Sequence, residues 1–164
     1  MDKEKTGGNI VLTIIRKLND WAVIADLLAI TTIVIMQVFF RYVLQNPLRW
    51  TEEAARYLLI WLVLLGSGVA MRNHSHLQVD ILTASLPEGP SRVLDAIVTV
   101  LTFIFLGIVV VYGVQLTFNN MRQLSPALKL PMGIVYAALP IGGALTLLEC
   151  ICAFINKLQK KKTA

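Results

Sequence analysis

Apolar residues fall into four long stretches separated by short polar segments. The first runs from Ala22 to Phe40 and contains one charge, Asp26. The second, centred on Leu58 to Met71, is uncharged but short, so its helix must begin near Trp50 with Arg56 close to the interface. The third starts around Val93 and is uncharged from Ala96 to Met121. The fourth is uncharged from Leu130 to Leu148 and continues through Glu149 to about Ile155. A bilayer core is crossed by about 20 mostly apolar helical residues. The pattern predicts an all-α integral membrane protein, one domain over residues 1–164, with transmembrane helices near 21–43, 50–71, 93–119 and 132–155. The segment from Met71 to Pro87 is too polar to span. Val79, Leu82 and Leu86 share one helical face there, which predicts a short interfacial amphipathic helix between the second and third spans.

Composition agrees and excludes other classes. Of 164 residues, 56% are hydrophobic and 15% charged, too apolar for a soluble domain or a disordered chain. Two cysteines cannot build a disulfide framework or a zinc site. The net charge of +5 is distributed by topology. Ten basic residues (Lys3, Lys5, Arg16, Lys17, Arg72, Arg92, Lys157, Lys160, Lys161 and Lys162) fall on the side of the termini and middle loop. Five (Arg41, Arg49, Arg56, Arg122 and Lys129) fall on the other. That asymmetry predicts cytoplasmic N- and C-termini. The lysine run is then an anchor at anionic lipid, and no nucleic-acid partner is expected.

Four segments carry candidate chemistry. The densest spans Asn46 to Tyr57, where Asn46 and Pro47 suit a helix start. Arg49 to Glu53 and Glu52 to Arg56 are spaced i,i+4, with Trp50, Tyr57 and Trp61 forming an aromatic stripe. Two readings stand: a self-paired interfacial entry, or a docking surface in which Arg41, Glu52, Glu53 and Arg56 pair across a subunit interface. Gly66 and Ala70 form a small-xxx-small pair suited to close helix approach. His76 and Asp80 are i,i+4 in the middle segment and read as a structural cap rather than a metal site. Pro126 and Pro131 forbid a continuous helix in the third connection, and Pro140 should kink the fourth span. No span carries a central acid, base or cation. Asp26 reads as shallow, within reach of interfacial water or headgroups.

Several of these residues also carry a resemblance. They are Phe39-Phe40-Arg41-Tyr42, Trp50-Thr51-Glu52-Glu53-Ala54-Ala55-Arg56-Tyr57, Trp61, Gly66, Ala70 and Arg72. His76-Leu77-Gln78-Val79-Asp80 follows, and later Ser125-Pro126-Ala127-Leu128, Leu130-Pro131-Met132-Gly133, Tyr136 and Pro140-Ile141-Gly142. In order and spacing the chain resembles the small membrane subunit of tripartite ATP-independent periplasmic (TRAP) transporters. The resemblance implies an inner-membrane complex with a large membrane subunit that holds the sodium and substrate sites. It also implies a periplasmic binding protein that delivers an organic acid such as a C4-dicarboxylate or a sialic acid. The small subunit would brace the static scaffold, with no cofactor of its own and no enzymatic activity. The competing readings are a stand-alone homo-oligomeric four-helix exporter or channel, and a membrane enzyme centred on the histidine loop.

Overall fold

A computed structural model of the chain describes residues 10–74 and 88–163. The described elements are α1 (Ile10–Tyr42), α2 (Arg49–His74), α3 (Glu88–Asn119), α4 (Met132–Tyr136) and α5 (Ala138–Thr163). Four stretches are long and apolar enough to cross a membrane: Leu12–Tyr42, Arg49–Asn73, Ile97–Asn119 and Met132–Ile155. Helices are the form expected there, because each satisfies its own backbone groups where water is absent. The expected interfacial helix, with His76 and Asp80, lies outside the described residues.

At 33 residues α1 is about 50 Å long, well beyond a hydrocarbon core of about 30 Å. It therefore takes in Arg16, Asn19 and Asp20, polar residues that the hydropathy pattern leaves ahead of the span. The second helix begins at Arg49, just past Pro47. Its first turn is closed by the Leu48 carbonyl, which accepts from the Thr51 N–H at 3.3 Å and the Thr51 hydroxyl at 2.7 Å. Gln45, at φ 48°, turns the chain between the two helices.

The helices pack as a row. α1 lies against α2, α2 against α5, and α5 against α3, while α1 and α2 make no extensive contact with α3 among the described residues. α2 and α5 are the inner members, and the span Met132–Ile155, which includes most of α5, is the most buried, 33% against 6% for Leu12–Tyr42. Small residues permit the close approaches. A Cβ at Gly142 would stand 2.7 Å from both the Leu64 carbonyl oxygen and its Cβ, so α5 meets α2 through bare backbone. Beside it, the Ser67 and Thr146 hydroxyls hydrogen-bond at 2.7 Å.

The fourth span is interrupted as Pro140 requires. A helical residue at that position would donate to the carbonyl of Tyr136, four residues back, and proline has no N–H to give. The helix breaks at this place: α4 stops at Tyr136 and α5 starts at Ala138. The Pro140 ring seats on α3 at Gly113, where a Cβ would be only 2.9 Å from the ring.

Candidate functional site

The polar cluster at the start of α2 meets the connection between α3 and α4, and one carboxylate organises the meeting. That connection folds back on itself. The Ser125 N–H donates to the Leu130 carbonyl at 2.9 Å, the Leu130 N–H to the Ser125 hydroxyl at 3.2 Å, and the Met132 N–H to the Gln123 carbonyl at 2.8 Å. Leu124 and Pro131 form an isolated antiparallel bridge, and Lys129 takes φ 56° to complete the turn. Pro126 and Pro131 thus do more than end a helix: they flank a tight loop.

The loop presents two consecutive amides to α2. Glu53 Oε2 accepts from the Ala127 N–H at 2.7 Å and the Leu128 N–H at 3.2 Å. Its other oxygen accepts the Tyr57 hydroxyl, one turn on. Backbone amides aimed together in this way form an anion-binding concavity. Glu53 is 8% exposed and Ser125 is 1% exposed, so the carboxylate and the hydroxyl are largely withdrawn from bulk water.

This corrects the expected charge pairing. Glu53 does not pair with Arg49, because the loop amides and Tyr57 take up its oxygens. Glu52 does not pair with Arg56 either; it faces Arg41 at the end of α1, 3.9 Å away, with both side chains more than half exposed. Arg49 and Arg56 are exposed and take part in no ion pair among the described residues. Trp50 is 38% exposed beside them.

The opposite end of the row, where α1 starts and α2 and α5 finish, holds a network that the sequence did not reveal. Arg16 forks onto Glu149, Nε to Oε1 at 2.7 Å and the terminal nitrogen to Oε2 at 2.6 Å. Arg72 donates to Asp20 at 2.7 Å, and the Asn19 amide donates to the Leu65 carbonyl at 3.2 Å. Arg16 and Glu149 are separated by 133 positions. The available signal was Glu149 itself, an acid in an apolar helix that needs a partner. Asp26 is half-buried, and its Oδ2 lies within the chain without a hydrogen-bond partner among the described residues.

The small-residue pair Gly66 and Ala70 meets no helix among the described residues. A Cβ at Gly66 would meet nothing within 4 Å, and Ala70 is exposed. With Leu59 and Val63, half or more exposed, they form an outward stripe on α2 that none of the described residues covers. No group of three or more metal-ligating side chains occurs among the described residues.

A family model described as tripartite ATP-independent periplasmic transporters, DctQ component, matches residues 30–160. The chain belongs to this family. It is 33% identical over 143 residues to a sialic acid TRAP transporter permease protein, SiaT, of Haemophilus influenzae, covering 85% of this chain and 23% of that protein. A putative TRAP transporter small permease protein of Haemophilus influenzae is 29% identical, with 82% of this chain and 84% of its own covered. An isethionate TRAP transporter permease protein, DctMQ, of Oleidesulfovibrio alaskensis is 36% identical over 72% of this chain and 20% of its own. The chain thus spans less than a quarter of two long relatives and most of a short one. The protein is a TRAP small permease subunit, a multi-pass inner-membrane transport component and not an enzyme. Both long relatives extend well beyond the stretch matched here.

Proposed function

We propose that this subunit braces the large membrane subunit of a TRAP transporter, without itself conducting substrate. The carrying observation is the row of helices. The four spans pack as a row in the order α1, α2, α5, α3, and large apolar side chains remain exposed along both edge helices among the described residues. Two buried glutamates are also engaged: Glu149 is paired with Arg16 and Glu53 is clamped to a loop, leaving Asp26 Oδ2 as the buried acid oxygen without a partner among the described residues. A membrane partner of the same apolar character suits such a surface, and the long relatives have most of their length beyond the matched stretch to provide one. The outward stripe of Leu59, Val63, Gly66 and Ala70 is our docking face, with Arg41 and Glu52 at its rim. The transported solute is an organic acid of the sialic acid or C4-dicarboxylate type, delivered by a periplasmic binding protein and coupled to sodium bound in the large subunit. The termini face the cytoplasm.

The test is co-purification with the large subunit. Gly66→Leu adds a side chain where the described residues leave open space, so the small subunit should fold while the complex is lost. Unchanged assembly for Gly66→Leu and Ala70→Leu together would reject this face. Asp26→Asn should leave uptake intact in the assembled complex. Transport by the small subunit alone in proteoliposomes, lost with Asp26→Asn, would replace bracing with the exporter reading.

A further inference from the structure

We infer that the cavity between the start of α2 and the α3–α4 loop is a binding site for the phosphate of a phospholipid headgroup. The cavity measures about 830 Å³ and opens to the surroundings; Pro47, Arg49, Trp50, Arg56, Tyr57 and Ala127 are among its lining residues. Arg49 and Arg56 are seven positions apart, two turns of one helical face, so both guanidinium groups reach the same space along about 10 Å of α2. Neither makes an ion pair among the described residues.

Two carboxylates also line this cavity, and each is turned to other donors. Glu53 is held by the Tyr57 hydroxyl and the loop amides, and Glu52 faces Arg41. The two arginines are therefore left as the unmatched charges. A guanidinium fork fits phosphate oxygens in a bidentate manner. The N-terminal turn of α2, directly beside them, adds partial positive charge.

A lipid headgroup is favoured over a carboxylate of a neighbouring protein by depth and by the aromatic residue. The site lies at the first two turns of a membrane-spanning helix, the level at which headgroup phosphates sit, and Trp50 belongs to the belt of aromatics found there. Arg56 lies about 10 Å below the helix start on an exposed face, where a charge needs a nearby counter-ion. The open side of the cavity lets acyl chains continue into the surrounding bilayer.

The experiment is native mass spectrometry of the full chain, alone and in complex with its large subunit, with dioleoylphosphatidylglycerol as the probe. Dioleoylglycerol, which has the same chains and no phosphate, and inorganic phosphate are run in parallel. Phosphatidylglycerol should be retained in both samples and dioleoylglycerol in neither, and millimolar phosphate should not displace the lipid. Arg49→Gln with Arg56→Gln should weaken retention about tenfold or more, the scale of losing charge-assisted phosphate contacts. Arg122→Gln, an exposed arginine at the same end that is not among the lining residues, should leave retention unchanged. Circular dichroism should show unchanged helicity for all variants. The inference is overturned if the double variant retains lipid normally, or if Arg122→Gln weakens retention as much. Displacement by free phosphate would make this a soluble-anion site instead. Loss of lipid only on assembly would hand the arginines to the protein interface, leaving the bracing proposal untouched.

Discussion

The two ends of the helix row neutralise their acids by different means. Where α1 starts and α5 finishes, charge meets charge between helices: Arg16 with Glu149, and Arg72 with Asp20. At the other end, Glu53 meets backbone amides of a loop and a tyrosine hydroxyl. The first arrangement sets the spacing of helices, since each pair spans two of them. The second sets the shape of a connection, since the amides exist as a pair only while the Ser125 to Leu130 turn is closed. It also has an electrostatic consequence. Using amides for Glu53 leaves Arg49 and Arg56 without an ion-pair partner among the described residues, whereas Arg16 and Arg72 at the other end each hold an acid.

Breaking the fork between Arg16 and Glu149 should have the largest effect. Arg16→Ala strands a carboxylate that is 8% exposed, and thermal unfolding in detergent should show a loss of about 3 kcal/mol. Exchanging the pair, Arg16→Glu with Glu149→Arg, should recover much of it; failure to recover would mean that the surroundings, not the pair, hold α1 to α5. Next comes Glu53→Ala, whose effect should be local. Hydrogen exchange at Ala127 and Leu128 should accelerate about tenfold or more, because both amides lose their acceptor, while exchange in α3 and α5 stays slow. Equal acceleration throughout would make the clamp a global support like the fork and erase the contrast between the ends.

Smaller changes sharpen the comparison. Arg72 and Asp20 have side chains 25% and 38% exposed, so Asp20→Asn should cost about 1 kcal/mol or less in the same unfolding assay. A loss as large as that of Arg16→Ala would show that the pair is drier than its exposure indicates. Arg41→Ala should be nearly silent. At 3.9 Å, with side chains 57% and 58% exposed, its contact with Glu52 contributes about 0 to 0.5 kcal/mol within the subunit. A marked drop in the isolated chain would contradict the surface character assigned to this contact.

Much of the architecture was determined by sequence alone. Four apolar runs specify four spans, because backbone groups in lipid can be satisfied only within a helix. Pro140 specifies a break one turn earlier, because its missing N–H removes one hydrogen bond of the ladder. Pro126 and Pro131 specify a non-helical connection for the same reason. The partners of the charges were decided only by tertiary structure. Spacing allowed Glu53 to meet Arg49, but amides 74 and 75 positions away are closer to its oxygens, and no local pattern records them. Glu149 signalled that it needed a cation without saying which, because Arg16 reaches it only once α1 lies beside the end of α5. Glycine shows the limit most plainly. Gly66 and Gly142 are equally small and both lie in apolar helices, yet Gly142 touches the α2 backbone while Gly66 opens outward. A residue's size permits close approach; which helix approaches depends on the order α1, α2, α5, α3, which arises from many weak packing contacts summed across the chain.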